Sequence, residues 1–230
     1  MNFQSRQMIS SEDIYVDLCN KIEKLEYMPG QRISENELCQ QYGATRHMVR
    51  GALATLRQRK LVEVYPQRGT FVTLIDMDYI ADVLFIRESM EQEAMRRIIE
   101  SGDVEAVCQK MRACIELQKK CKHTNKYSEE FYQMDNEFHK CLYDAIGRRN
   151  AGEFIADPNI HFRRWRNFEI RYSERVKALI MEHEMLVEAI EAKDADKARK
   201  ILHEHLETVS KYGQNIKDSE KKYVVGSITE

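Results

Sequence analysis

Residues 42–72, YGATRHMVRGALATLRQRKLVEVYPQRGTFV, decide the fold of the first third of this 230-residue chain. Between Arg46 and Arg68 the stretch contains six Arg and Lys residues against one Glu, although the whole chain has a net charge of −2. A solvated helix face usually mixes charges of both signs. The local surplus of positive charge therefore indicates an anionic partner.

The pattern around this stretch predicts three helices and a hairpin. Apolar residues recur on one face of the first and third helices: Ile14, Leu18, Ile22 and Leu25, then Val49, Ala52, Leu53 and Leu56. The second helix is predicted to begin after Ser34, with Glu37 at capping-box spacing, and to end at Gly43. The third is predicted to begin with Thr45 as its N-cap. Two alternating runs flank PQRG at 66–69, which is a hairpin signal. This order predicts a winged helix-turn-helix DNA-binding domain within residues 1–75.

The positive residues then fall where such a domain contacts double-stranded DNA. The predicted DNA-binding residues are the start of the third helix and the hairpin tip: Thr45, Arg46, His47, Arg50, Arg68 and Gly69. Arg46 and Arg50 share the face opposite the apolar residues, and Arg can bind guanine or phosphate through two parallel hydrogen bonds. The alternative is that both are solvated or paired with acidic residues of the first two helices. The hairpin directly downstream favours a DNA-reading surface.

Composition indicates a globular, mostly α protein. The chain is 43% hydrophobic and 32% charged, and 9 Gly and 3 Pro leave room for long helices. We expect an all-α antiparallel helical bundle over residues 76–213, with breaks near 101–103, 121–128, 147–151, 157–159 and 193–195, and a tail over 214–230. No apolar run approaches the roughly 20 residues that span a bilayer. The start lacks a signal-peptide pattern, so we expect a cytoplasmic protein with no membrane partner.

Four polar residues fall on apolar stripes of the helical half. Asp135 and His139 are four residues apart, on the stripe that includes Phe138 and Leu142. His183 and His205 lie on the apolar faces of two later helices, and His203 falls on the opposite side.

A buried carboxylate is costly unless it is paired or binds a metal. A divalent cation held by Asp135, His139, His183 and His205 would stabilise all four. Imidazole suits Zn, Ni, Cu or Fe, and the carboxylate extends the choice to Mn. The alternative is a His–Asp hydrogen-bond network in a polar pocket.

The N-terminal sequence resembles the DNA-binding domain of the GntR family of bacterial repressors. The matching residues lie within MPGQRISENELCQQYGATRHMVRGALATLRQRKLVEVYPQRGTFV, residues 28–72, and include Pro29-Gly30, Ser34-Glu35, Arg46, Val49-Arg50 and Arg68-Gly69-Thr70-Phe71-Val72. Cys39, Thr45, Met48 and Gly51 replace the usual Ala, Ser, Pro and Glu of that pattern. Met48 and Gly51 are on or beside the predicted reading helix, which predicts an altered operator preference.

Residues 76–212 resemble the FCD ligand-binding domain of the FadR subfamily. The resemblance rests on IRESMEQEA, DNEFH, AIGRRN, EHEMLVEAIEAKDADKAR and HEHL. It implies that Asp135, His139, His183 and His205 hold a divalent ion (Zn, Ni, Mn or Fe) and that a small carboxylate effector completes the coordination. Arg87 matches an arginine of the first helix of that domain and is the predicted effector-binding residue. Four others carry no comparable match and are expected on the solvated surface: Arg163, Arg166, Asn167 and Arg171.

Together the two resemblances imply a homodimeric, ligand-responsive transcription regulator, a repressor that a carboxylate metabolite releases from its operator. Three alternatives remain at this point. The ion itself could be the signal, the Asp and three His could activate water in a metalloenzyme, or the chain could respond to acyl-CoA without a metal. A fused DNA-binding domain argues against the enzyme, and the four metal-type ligands argue against the acyl-CoA responder.

Overall fold

The computed structural model describes residues 9–121, 128–156, 159–169, 175–207, 216 and 218–226. The chain divides into two compact units. One contains residues 1–75 with Glu220–Val225, and the other contains residues 76–219 with Gly226–Glu230. Within the described ranges, no helix combines the length and apolar character needed to cross a bilayer.

The N-terminal unit is a winged helix-turn-helix. Its elements are α1 (Ser11–Glu23), β1 (Arg32–Ile33), α2 (Glu35–Tyr42), α3 (Arg46–Gln58), β2 (Val62–Tyr65), β3 (Gly69–Val72) and β4 (Ile75–Asp76). The strands β2 and β3 form the predicted antiparallel hairpin, with Val62 opposite Val72 and Tyr65 opposite Gly69. The short strand β1, which the sequence pattern did not predict, pairs antiparallel with β3 and extends the sheet to three strands.

Side-chain caps set the ends of these helices. Ser10 and Asp13 form a capping box at the start of α1, and Ser34 accepts a hydrogen bond from the Glu37 amide at the start of α2. Thr45 accepts one from the Met48 amide and so caps α3, as predicted. Gly43 ends α2 in the left-handed conformation, with φ 59°. The predicted apolar stripes are buried: Ile14, Leu18, Ile22 and Leu25, with Val49, Ala52, Leu53 and Leu56.

The second unit is helical. Its helices are α4 (Met77–Ser101), α5 (Val104–Cys121), α6 (Glu129–Ala145), α7 (Arg149–Ala156), α8 (Asn159–Glu169), α9 (Arg175–Glu191) and α10 (Ala195–Leu206). In the bundle, α5 packs on α6 and α9, α9 packs on α10, and α4 packs on α6, α8 and α10. The predicted breaks near 101–103, 147–151 and 193–195 correspond to three of the helix junctions. Those near 121–128 and 157–159 lie mostly outside the described residues.

The predicted tail, residues 214–230, contains regular structure. A short 3-10 helix (Lys221–Tyr223) leads into β5 (Val224–Val225), and β5 pairs with β4 in a two-stranded sheet. Glu220–Val225 group with the N-terminal unit.

Candidate functional site

The predicted DNA-binding residues lie on the solvent side of α3 and on the hairpin tip. Arg46 and His47 are the first residues of α3, and Arg50 follows one turn later; all three are exposed. The opposite face of α3 contains Val49 and Leu53, which are buried. An amphipathic α3 thus holds its basic residues outward, at the helix end that enters a DNA groove in this fold.

Two of these arginines contact α2. Nη2 of Arg46 donates to Oδ1 of Asn36 at 3.2 Å, and Nε of Arg50 lies 3.0 Å from Oε2 of Glu35. Arg50 therefore has the acidic partner that the alternative interpretation required. The Arg50 side chain is nonetheless 65% exposed, and an ion pair this open stabilises a fold by about 1 kcal/mol or less. A phosphate can therefore replace Glu35 at low cost.

The hairpin tip has a backbone that favours glycine. Gln67 has φ 61° and Gly69 has φ 108°. A Cβ atom on Gly69 would lie 3.1 Å from Nε of Arg32, so the guanidinium of Arg32 lies against the tip. The guanidinium of Arg68 lies 5.6 Å from the ring centroid of Tyr65. Arg32 is a basic residue of this surface that the sequence pattern missed, because only the pairing of β1 with β3 brings it there.

In the second unit, the three predicted histidine ligands come together, and the predicted Asp135 lies beside one of them. Asp135 and His139 lie on α6, His183 on α9 and His205 on α10, and each is at most 6% exposed. One ligand atom of each histidine lies within 4.8 Å of those of the other two. Oδ1 of Asp135 lies 3.5 Å from Nε2 of His183. His203 is on the exposed side of α10, as predicted.

Each imidazole is held through Nδ1 by a residue that the sequence pattern missed. His139 donates to Oε2 of Glu91 at 2.8 Å, and His205 donates to Oε2 of Glu182 at 2.7 Å. Nδ1 of His183 lies 2.8 Å from Oε1 of Gln118. Because every Nδ1–H is taken, the Nε2 lone pair of each ring is free to bind a ligand.

The electrostatics of the cluster favour neutral rings and a charged carboxylate. Burial lowers the pKa of His183 to about 3 and that of His205 to about 4, and it places the pKa of His139 well below the ordinary value. Burial alone would raise the pKa of Asp135. The adjacent histidines and Arg87 outweigh burial and bring it to about 2.

These residues fit a divalent metal ion. Nε2 of His139 and of His183 is buried and makes no hydrogen bond to any residue in the described part of the chain. Bare buried nitrogens are costly in a folded protein unless something binds them. Three neutral imidazoles and one carboxylate form a donor set suited to Zn, Ni, Fe or Mn.

Arg87 lies beside this cluster on α4. It is 4% exposed, and its Nε pairs with Oε1 of Glu91 at 2.7 Å. A cavity of about 400 Å³ reaches this point from the surface. Its lining includes the buried Arg87, Glu91, His139 and Tyr143, with Asn136, Lys140 and Arg149 nearer the solvent. The cavity is large enough for a small organic anion.

The expectation that Arg166 is a solvated surface residue was wrong. Arg166 is 2% exposed, and its guanidinium lies 4.8 Å from the ring centroid of Phe162. Arg163 is half-buried against the ring of Tyr132, at 4.1 Å, and Asn167 is half-buried. The neighbouring Arg164 is fully buried. These arginines pack into the bundle because α8 has aromatic residues on both sides of them. Arg171 lies outside the described residues.

Comparison with known proteins gives the same architecture. An FCD domain profile matches residues 82–208, and a profile described as bacterial regulatory proteins, gntR family, matches residues 10–72. An HTH-type transcriptional regulator in an unstable DNA locus of Streptomyces ambofaciens is 29% identical over 206 residues, covering 90% of this chain and 86% of the relative. The HTH-type transcriptional repressor RspR of Escherichia coli K12 is 25% identical over 207 residues, covering 90% of each chain.

The fold agrees with these sequence matches. A solved structure described as a transcriptional regulator GntR from Rhodococcus sp. RHA1 superposes with a TM-score of 0.71, at 18% identity, over 90% of this chain and 99% of that one. The relatives are named as transcriptional regulators, not as enzymes. With an FCD match over more than half of its length and a gntR match before it, the chain belongs to the GntR family of DNA-binding transcription regulators and has an FCD domain.

Proposed function

We propose that this regulator is a repressor that binds a divalent metal and a small carboxylate in its FCD domain, and that the carboxylate releases it from its operator. The carboxylate must bind the DNA-free state more tightly than the DNA-bound state for this to work. The observation that carries the proposal is the convergence of three buried imidazoles whose Nδ1 atoms are already engaged.

Asp135, His139, His183 and His205 would hold the ion. Bound there, the ion would supply a Lewis-acidic positive charge that attracts carboxylate oxygens. Arg87 supports a carboxylate effector because its buried guanidinium lines the cavity together with His139. The protein's own residues thus offer a cation beside the proposed metal site.

On DNA, we propose that the start of α3 and the hairpin tip contact the duplex through Thr45, Arg46, His47, Arg50, Arg68 and Gly69. Two copies acting as a homodimer would bind a two-fold operator with half-sites about one DNA turn apart or closer. The relative RspR is named a repressor, which supports the same role here. The exposed cations support a steep loss of affinity with salt, since each neutralised phosphate releases counterions.

The first test is the metal content of protein purified without a histidine tag or chelator. We expect about one divalent ion per chain in the wild type and in His203→Ala, which changes an exposed histidine outside the cluster. The Asp135→Ala, His139→Ala double variant should contain none. Small carboxylates would then be screened for release of an operator selected from random duplex DNA. A metal-free wild type that added metal does not restore would contradict the metal assignment.

A metal-sensing regulator is the second candidate, favoured by the burial of the four ligands. It predicts that operator affinity follows the concentration of the ion when no carboxylate is present. The carboxylate-responsive repressor predicts that the metal-loaded protein binds DNA until a carboxylate is added. A metalloenzyme would instead consume a candidate acid, which chromatography of the incubated acid would detect.

A further inference from the structure

Two of the three histidines are held by a carboxylate that an arginine also binds. Glu91 accepts from Nε of Arg87 at 2.7 Å through Oε1, and from Nδ1 of His139 at 2.8 Å through Oε2. Arg87 and Glu91 are one turn apart on α4, and His139 lies on α6. The side chains of all three are 5% exposed or less. One buried carboxylate is therefore shared between a guanidinium and a candidate metal ligand.

A second set has the same chemistry but a different geometry. Arg175 donates from Nη1 and Nη2 to both oxygens of Glu182, at 2.5 and 2.8 Å, and Glu182 also accepts from Nδ1 of His205. The guanidinium of Arg175 is thus held by two parallel hydrogen bonds. The third histidine, His183, is held by the neutral amide of Gln118. At Nδ1, therefore, two of the three rings contact a carboxylate that is paired with an arginine, and the third contacts a neutral amide.

The two charged sets differ in whether they line the cavity beside Arg87. Arg87, Glu91 and His139 all line the cavity of about 400 Å³, whereas Arg175, Glu182 and His205 are not part of its lining. Arg87 binds Glu91 through Nε, and its Nη atoms make no hydrogen bond to any residue that the structure describes. An anion in the cavity can therefore take the Nη donors of Arg87 directly, and it cannot do the same with Arg175.

We infer that Glu91 couples the carboxylate-binding Arg87 to the metal-binding His139. This inference rests on the proposed function. A carboxylate that binds the Nη atoms of Arg87 takes part of the guanidinium charge that also stabilises Glu91. Glu91 then becomes a stronger acceptor for the His139 Nδ1–H, and a stronger acceptor at Nδ1 makes Nε2 a better metal ligand. The carboxylate tightens the metal, and by linkage the metal tightens the carboxylate.

Glu91 is thus a positioning residue for His139, and it also transmits carboxylate binding at Arg87 to that metal ligand. Glu182 shares the first role, because it too holds an imidazole Nδ1, but its arginine is closed off by two hydrogen bonds. The pair Glu91→Gln and Glu182→Gln therefore separates support of a metal ligand from coupling. Both variants keep an oxygen that can accept from the imidazole.

The test measures Zn²⁺ affinity of the full chain by competition with a chromogenic chelator, with and without excess acetate at constant ionic strength. In the wild type we expect acetate to raise Zn²⁺ affinity about fivefold or more, the usual lower range of coupling between two sites. Each Gln variant should bind Zn²⁺ about tenfold more weakly or worse, as expected for loss of an outer partner. The acetate effect should keep its full size in Glu182→Gln and become smaller in Glu91→Gln. An undiminished effect in Glu91→Gln, or equal losses in both, would overturn the coupling role.

A second variant covers the case in which Glu91→Gln does not fold, which fluorescence of the single tryptophan, Trp165, would reveal. Arg87→Gln leaves Glu91 with the Nδ1–H of His139 and with the Tyr143 hydroxyl, which donates to Oε1 at 3.4 Å. It should keep Zn²⁺ affinity at or above that of the wild type and respond less to acetate. Weaker Zn²⁺ binding in Arg87→Gln would overturn the inference. A wild type that binds no Zn²⁺ would overturn the proposed function and the inference with it. If the wild type binds Zn²⁺ and responds to acetate, a contrary result in the variants would overturn only the coupling role of Glu91.

Discussion

Nδ1 of His183 lies 2.8 Å from Oε1 of Gln118, and neither residue is exposed to solvent. The amide oxygen can only accept, so Nδ1 of His183 carries the proton and Nε2 is left bare. Gln118 lies on α5 and His183 on α9, and the packing of α5 on α9 brings them together. A neutral residue on α5, a helix that contains none of the candidate ligands, thus sets the tautomer of a candidate metal ligand.

Replacement of Gln118 by Leu should weaken metal binding without removing a metal ligand. The substitution leaves the buried Nδ1–H of His183 without its acceptor, which costs about 1–3 kcal/mol of unfolding free energy. We expect metal affinity to fall about 10- to 100-fold. Chelator competition measures the affinity, and Trp165 fluorescence in urea measures the stability of the helical unit.

Gln109→Leu is the matched control because Gln109 is an exposed residue of the same helix. It should change neither quantity. Equal metal affinity in Gln118→Leu and Gln109→Leu would show that the amide does not orient His183.

Helical periodicity was enough to predict the inward residues of the site. Asp135 and His139 follow the apolar stripe of α6, and that stripe is buried because α6 packs on α4 and α5. The same argument placed His183 and His205 and separated them from the exposed His203. The capping pattern likewise predicted the starts of α2 and α3, because caps depend on residues only three positions apart.

The partners of these histidines were not predictable, because they depend on which helices pack together. Glu91 is 48 residues from His139, and Gln118 is 65 residues from His183. A Glu or Gln on a helix gives no sign of burial unless its position relative to the apolar face is clear. Arg166 illustrates the same limit: the sequence around it looks like a charged helix face, yet packing against Phe162 buries the side chain.

Arg50→Ala should weaken operator binding by about 1–3 kcal/mol if the guanidinium reaches a base, or lower the salt slope by about 1 if it reaches a phosphate. Glu35→Gln removes the acidic partner of Arg50 and should raise operator affinity slightly at low salt, since Arg50 then has no competing carboxylate. Fluorescence anisotropy of a labelled operator across a salt series measures both effects.

Arg97→Ala, on an exposed face of α4, controls for the loss of one positive charge. Its affinity and salt slope should match those of the wild type. An Arg50→Ala variant that behaves like Arg97→Ala would remove Arg50 from the DNA contact.

The stability of the N-terminal unit should depend on pH through Asp17. Its carboxylate accepts hydrogen bonds from Lys21 at 2.6 Å and from Tyr42 at 2.5 Å. Partial burial would raise the pKa of Asp17, but the bonds from Lys21 and Tyr42 outweigh it and the pKa is lowered. The stabilisation is therefore present above the unfolded pKa of about 3.9 and is lost as the pH falls through the lower folded value.

Asp17→Asn should therefore cost about 1 kcal/mol of unfolding free energy at neutral pH, a value kept low because Asp17 is 43% exposed. The difference from the wild type should shrink as the pH falls below about 4. Burial and Asp17 also raise the pKa of Tyr42, so the wild type should lose part of its advantage again as the pH rises above about 10. Far-UV circular dichroism in urea follows the unfolding of both units and therefore measures the difference. Trp165 lies in the helical unit, and its fluorescence transition in urea should be the same in Asp17→Asn and in the wild type. A pH-independent difference would contradict the ionic role of Asp17.

Gly69→Ala should damage the hairpin tip and, through it, DNA binding. At φ 108° an alanine is strained by about 1–3 kcal/mol, and its Cβ would lie 3.1 Å from Nε of Arg32. Both Arg32 and Arg68 would shift, so we expect operator affinity to fall by about 1 kcal/mol or more, since contacts of this kind fix the register of a protein on DNA.

Gly43→Ala is the control that separates backbone strain from loss of DNA contact. Gly43 also has a positive φ, 59°, but a Cβ atom added there would have nothing within 4 Å. This variant should lose comparable stability in urea while binding the operator as the wild type does. If both variants bind the operator equally well, the hairpin tip does not contribute to DNA affinity.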